Sequence, residues 1–329
     1  MASAHRQGRP AAEVIVVVDH NPPLRERACA ELRAATVIPN DGPRGLSGAR
    51  NTGVAAAGGD VAVFLDDDAV AEEGWLARLL APYDDQPSVA GVGGRADPVW
   101  PAPGSRPRWW PPEFDWVVGC SYQGLPEERA RVRNLIGCNM SFRRNVFIRV
   151  GAFMPGMGRA SAAALPFGCE ETDLCIRLTR AYPDAQILYE PAARVRHQVD
   201  PARVRWEYFR RRCAAEGRSK ALVSRRLGAG DALSSERAHV RVAIAGGLRR
   251  DLGAALRQGE VDGARRAFSS VYGLAAAGAG YLAGPRAGAA HTGAASPRPA
   301  TCTCAPNSSS RRGPTSTGRR WASNWRARP

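Results

Sequence analysis

The sequence predicts an α/β fold in its first two hundred residues, followed by a helical extension and a tail without a core. Three observations carry this. From residue 13 to about 200, apolar strand-like runs alternate with helix-patterned segments. Two of those runs, "EVIVVVD" and "DVAVFLDDD", end in aspartate. Residues 201–284 are rich in Arg and Ala with helical patterning, and residues 285–329 turn to Gly, Pro, Ser, Thr and Arg, a composition that buries too little apolar surface to order itself.

Each element has its reason. Residues 1–12 show no apolar pattern and are expected to be disordered. "EVIVVVD" reads as a buried strand ending at Asp19, and "LRERACAELRAA" as the helix after it. "ATVIPN" is a short second strand, and "GLSGARNTGVAAAGG" opens on glycines and continues as a helix. "DVAVFLDDD" is the third strand, and "EEGWLARLLAPY" a helix with Leu76, Leu79 and Leu80 on one face. Three strands joined by two crossover helices predict a parallel sheet, whose ligands gather beyond the carboxyl ends of its strands. Further on, "FGCEETDLCIRL" opens a helix, and "QILYEP" is a strand leading to His197.

Composition narrows the partners. The net charge is +15, Lys220 is the only lysine, and eight arginines with no acidic residue lie in 285–329. Such a balance favours anionic ligands, but no nucleic-acid fold motif accompanies it, so no specific nucleic acid is expected. No apolar run is long enough to span a bilayer, and the N-terminus lacks the apolar core of a secretory signal. A cytoplasmic location is the expectation. The eight cysteines show no metal-site spacing and read as free thiols, with Cys302 and Cys304 forming only a C-x-C.

Four groups of residues are candidates for chemistry. Asp66, Asp67 and Asp68 end a strand before a helix, which suits either an N-cap region or a seat for a hard divalent cation. "GPRGLSGARNTG" supplies tight turns, Arg44 and Arg50 as phosphate partners and a helix N-terminus, or else it simply packs helix on sheet. Glu170, Glu171 and Asp173 open a helix whose dipole favours them there in any case. Trp100, Trp109, Trp110 and Trp116 crowd a proline-rich loop, offering flat surfaces to sugar rings or pinning the loop to the core. Asn139 and Ser141 in "GCNMSF" either line a pocket or end a strand.

The order of these motifs resembles family 2 glycosyltransferases, which have the nucleotide-sugar-binding GT-A fold, a Rossmann-like arrangement around a mixed sheet. The likeness rests on "LSGARNTGVAAAGGDVAVFLDDDA", "NLIGCNMSFRRNVFIRVGAF" and "FGCEETDLCIRL", and covers about residues 13–225. It implies that Asp19, Arg50, Asn51, Asp66 and Asp67 contact the nucleotide sugar. It also implies that Asp66, Asp68 and His197 hold a Mg²⁺ or Mn²⁺ ion. Glu171, with Glu170 second, matches the catalytic base, while Asn139, Trp109 and Trp110 fall in the donor or acceptor pocket. The implied reaction is inverting transfer from a nucleoside-diphosphate sugar, UDP-linked, to a hydroxyl of a glycan, lipid-linked or small-molecule acceptor. The basic aromatic stretch "ARVRWEYFRRRC" adds the expectation of peripheral contact with the inner face of the membrane.

Two departures from the family pattern stand out. "VIVVVD" matches the family's second strand, so the leading βα unit is expected to be missing, through a truncated or misassigned start. The alternative to an enzyme is therefore an inactive nucleotide-sugar-binding homologue. The tail from Pro285 has the bias of a shifted reading frame in a GC-rich gene.

Overall fold

A computed structural model describes residues 2–101, 104–155, 157 and 168–284. The tail at 285–329, with Cys302 and Cys304, lies outside the described residues. The helices are α1 (Ala2–His5), α2 (Pro22–Glu31), α3 (Leu46–Ala56), α4 (Trp75–Asp85), α5 (Arg144–Val150), α6 (Glu170–Ala181), α7 (Trp206–Leu227), α8 (Ala229–Ala232), α9 (Ser234–His239), α10 (Ala245–Gln258) and α11 (Val261–Leu282). The strands are β1 (Ile15–Val18), β2 (Thr36–Pro39), β3 (Val61–Leu65), β4 (Ala69–Ala71), β5 (Val89–Val99), β6 (Ala130–Arg131), β7 (Asn139–Arg143) and β8 (Gln186–Gln198).

The strands divide into two sheets. β1 and β2 form a parallel pair, and the other six form a mixed sheet in the order β3-β7-β5-β8-β4, with β6 on β8. This corrects the expectation of one parallel sheet through the first three strands. β3 pairs antiparallel with β7 and shares no ladder with β1, so among the described residues one edge of each is unpaired. Backbone groups on such edges have only solvent or a further strand as partners.

The core lies on both faces of the six-stranded sheet. Phe142, Phe147, Phe153, Leu174 and Leu178 fill one side, where α5 and α6 pack. Trp75, Leu76, Leu79 and Val195 fill the other, beneath α4, so two of the three leucines expected on one face of that helix are buried. A third cluster joins Trp110, Phe114 and Phe209 and ties the proline-rich loop to α7. The helical reading of 201–284 corresponds to α7–α11.

The first residues are not structureless, and this too is a correction. Ser3 and Gln7 are buried. Ser3 Oγ accepts from the Ala71 amide at 3.1 Å, while Gln7 donates to the Glu72 carbonyl at 3.0 Å and accepts from the Leu76 amide at 3.2 Å. Polar side chains satisfying a strand-to-helix connection leave no apolar periodicity, which is why the sequence pattern passed over them. The six described cysteines are free thiols.

Candidate functional site

The carboxyl ends of β1 and β2 meet through Asp19 and Asn40, and a third strand also ends in acids. Asp19 follows β1, Asn40 follows β2 and the Asp66–Asp68 run follows β3. Asp19 accepts from the Asn40 side chain at 2.6 Å and from the Gly45 amide at 2.9 Å. These bonds, with His20 at 2.8 Å, hold its carboxyl below the usual range although partial burial works the other way. The loop they anchor needs its glycines. Gly45 sits at φ 113°, and a side chain on Gly48 would run into the Pro43 carbonyl at 1.8 Å.

The glycine-led turn starts α3 so that Arg50 points inward. Arg50 donates to Glu170 at 2.8 Å, to Asp66 at 3.3 Å and to the Gly137 carbonyl at 3.0 Å. Its side chain is only 6% exposed. Burial opposes its charge, but Asp66, Glu170 and Glu171 together raise its pKa. One guanidinium thus joins the strand-end aspartates to the glutamate pair from more than a hundred residues away, and both motifs lie within the reach of a single side chain.

The aspartate run separates into roles. A turn closes from the Asp66 carbonyl to the Ala69 amide at 3.1 Å, leaving Asp67 exposed and Asp66 and Asp68 half-buried. The short strand β4, absent from the sequence reading, then pairs antiparallel with β8 and sets Ala69 opposite His197. His197 therefore lies within β8 and not after it. Its Nε2 is 3.2 Å from Asp68, and one ligand atom from each of Asp66, Asp68 and His197 falls within 4.8 Å of the others. Among the described residues the buried ring has no hydrogen-bond partner at Nδ1. Two carboxylates and an imidazole fit a divalent cation, and the nitrogen donor suits Mn²⁺ better than Mg²⁺. Sequence reasoning missed Arg203, 3.5 Å from Asp68, whose only signal was the basic stretch after His197.

Glu170 and Glu171 open α6. The turn before them is held by α7, since the Gly168 amide donates to Ser219 at 3.0 Å and the Cys169 thiol to Glu216 at 3.3 Å. Cys169 itself sits at φ 74°, a strained value for a residue with a side chain. Glu170 is buried and ion-paired with Arg50. Glu171, partly buried, has no ion-pair partner among the described residues. Burial first, and the neighbouring Glu170 second, push its carboxyl up to about 8 against the pull of Arg50. Asp173, the third acid, is buried and bonded to Arg177 at 2.8 Å, away from this chemistry.

Other residues expected at the ligand site make contacts within the framework. Asn51 grips Phe153 with both ends of its amide, donating at 2.8 Å and accepting at 2.9 Å. Asn139 is fully buried, donating to the Arg95 and Ala193 carbonyls and accepting from Trp75 Nε1, each at 2.9 Å. It bridges strands at the β5 irregularity near Gly94 and Arg95. Replacing Asn139 with Ala is expected to cost about 2–4 kcal/mol of stability through stranded buried partners, readable as a lower urea midpoint. A change confined to donor KM would instead restore it to the pocket. Trp110 is wholly buried against Phe209 at 5.1 Å and Trp100 at 5.6 Å, while Trp109 stays partly exposed beside Trp206.

Comparison with known proteins gives the chain a family and a set of relatives. The profile described as Glycosyl transferase family 2 matches residues 1–151. A protein of Haloferax volcanii, described as a glucosyl-dolichyl phosphate glucuronosyltransferase, is 33% identical over 214 residues, 64% of this chain and 67% of that protein. Among solved structures, the mannosyltransferase PcManGT from Pyrobaculum calidifontis, in complex with GDP-Man and Mn²⁺, is similar with a TM-score of 0.51 and 19% identity, over 85% of this chain and 81% of that one. GalNAc-T7 with UDP, GalNAc and Mn²⁺ aligns at a TM-score of 0.43 and 18% identity, covering 70% of this chain and 48% of its own.

Proposed function

From the premise that this chain belongs to glycosyltransferase family 2, we propose that it transfers a sugar from a UDP-linked donor to a hydroxyl of a lipid-linked glycan, with inversion at the anomeric carbon. The description of the Haloferax volcanii relative as a glucosyl-dolichyl phosphate glucuronosyltransferase makes a glucuronosyl donor and a lipid-linked glucosyl acceptor the first candidates. The single observation that carries the reading is the Arg50 bridge between Asp66 and Glu170, because it sets the donor-binding and proton-removing groups in one cleft.

Each residue then has a task. Glu171, once ionised, takes the proton from the acceptor hydroxyl as that oxygen attacks the anomeric carbon. Glu170 orients Arg50, and Arg50 holds Asp66 beside the donor. Asp19 fixes the Gly45 loop beside the nucleotide, and Asp67, the exposed member of the run, faces the sugar or ribose. Asp66, Asp68 and His197 would hold the divalent ion, which when bound offsets charge gathering on the departing nucleoside diphosphate. One displacement needs no covalent sugar–enzyme intermediate.

The test is incubation of the full chain with UDP-glucuronic acid, other UDP- and GDP-sugars, Mn²⁺ and a lipid-phosphate glucose acceptor. Product formation is expected, and no transfer from any donor would defeat the reading. A second expectation concerns the ion. Mn²⁺ should raise the melting temperature of the wild-type chain, and Asp68→Ala or His197→Ala should remove most of that rise by deleting one of three ligands. An undiminished shift would place the ion elsewhere.

A further inference from the structure

Eight of the ten large apolar side chains that stand exposed among the described residues belong to 240–282. On α11 the exposure is ordered. Val261, Phe268, Val271, Ala275 and Leu282 recur at intervals of three, four and seven along one line, and all are exposed. The opposite line, through Ala267, Gly273 and Gly280, is buried. There the helix meets its neighbours closely: side chains on Gly273 and Gly280 would strike Phe114 at 2.5 Å and the Ala214 carbonyl of α7 at 2.0 Å. The outward line is therefore not a misplaced core face. Its one charged exposed residue is Arg265.

Beside this line opens a cavity of about 310 Å³, lined by Trp109, Trp206, Phe268 and Ser269 and by Arg108 and Arg265. The two arginine side chains are 83% and 60% exposed and share a single acid, Asp262. An aromatic hollow beneath two exposed guanidinium groups that share one acid suits a molecule that is apolar at one end and anionic at the other. The sequence leaves α11 directly into 285–329, with eight arginines and no acid.

We propose that the outward face of α11, with the aromatic cavity beside it, docks on an anionic lipid bilayer. The inference rests on the lipid-linked acceptor of the proposed function, and it adds where the enzyme meets the membrane that carries such an acceptor. No helix of the described residues is long and apolar enough to cross a membrane, so docking is interfacial. Phe268, Val271 and Leu282 enter the acyl boundary, and Arg108 and Arg265 stay among the headgroup phosphates. Charge selects lipid over a second copy of the chain, because two copies, each at +15, meet with like sign, whereas an anionic surface attracts both the arginines at the cavity and the residues that follow.

The test is flotation of the full chain with vesicles of phosphatidylglycerol and phosphatidylcholine, compared with phosphatidylcholine alone. The wild-type chain is expected to float with the anionic vesicles and to be released by salt. F268E/V271E, two substitutions at exposed positions, should weaken flotation about tenfold or more while leaving the thermal shift by nucleotide sugar unchanged. Flotation of the variant equal to wild type would assign the attraction to the basic tail and overturn the proposal. So would failure of the wild-type chain to float, or a solution dimer that the double substitution converts to monomer. Salt-sensitive flotation lost in the variant, together with no sugar transfer, would uphold the docking face and defeat only the acceptor reading.

Discussion

Glu171→Gln is expected to lower sugar transfer by about 10²–10⁴-fold, with nucleotide-sugar binding retained, because the amide keeps the size and loses the base. The wild-type rate should rise with pH through about 8 and level above it, since burial and the charge of Glu170 hold the carboxyl protonated until then. Stability moves in the opposite sense. The folded carboxyl keeps its proton to about 8, whereas the unfolded one releases it near 4.5. This group's contribution is therefore complete below 4.5 and lost as pH climbs toward 8. Urea midpoints across that range should fall in the wild type and flatten in Glu171→Gln. If transfer survives in Glu171→Gln and disappears in Glu170→Gln, the base is the first glutamate and the Arg50 ion pair would have to open during the reaction.

Arg50→Met should be the most disruptive single change in the cleft. It leaves Glu170, 5% exposed at its side chain, and Asp66 without their shared cation, and breaking a buried ion pair from one side costs about 3–5 kcal/mol. Loss of transfer should accompany the loss of stability, because Asp66 and the α6 N-terminus are no longer drawn together. The pair can be isolated with a cycle: in R50M/E170Q the destabilisation should be smaller than the sum of the two single changes. Strict additivity would show that Arg50 and Glu170 act independently, and it would remove the physical link on which the proposed active site depends.

Much of this was legible in the sequence, and the limits have identifiable causes. β1, β2, β3, α2, α3 and α4 follow from apolar periodicity and glycine placement, the aspartate run and the glutamate pair are visible as acids at strand and helix ends, and the candidate metal set with His197 came from the family resemblance. The sequence could not reveal β4, because a three-residue strand is defined by its ladder with β8 and not by its own pattern. Nor could it separate Asn51 and Asn139, whose amides serve the backbone, from residues free to meet a ligand. A short polar side chain looks the same in both settings, and only its neighbours decide which groups it satisfies.

By itself, then, the chain's order of residues determined which segments form strands and helices, and which carboxylates stand at their ends, since those properties are local. The tertiary structure alone decided that Arg50 turns inward to hold Asp66 and Glu170 together, that His197 meets Asp68 through β4, that Glu171 has no ion-pair partner among the described residues, and that α11 keeps an apolar line outside. Each of these depends on burial and on distances between residues far apart in sequence, and electrostatic and hydrophobic free energies are set by those distances in space and not by separation along the chain.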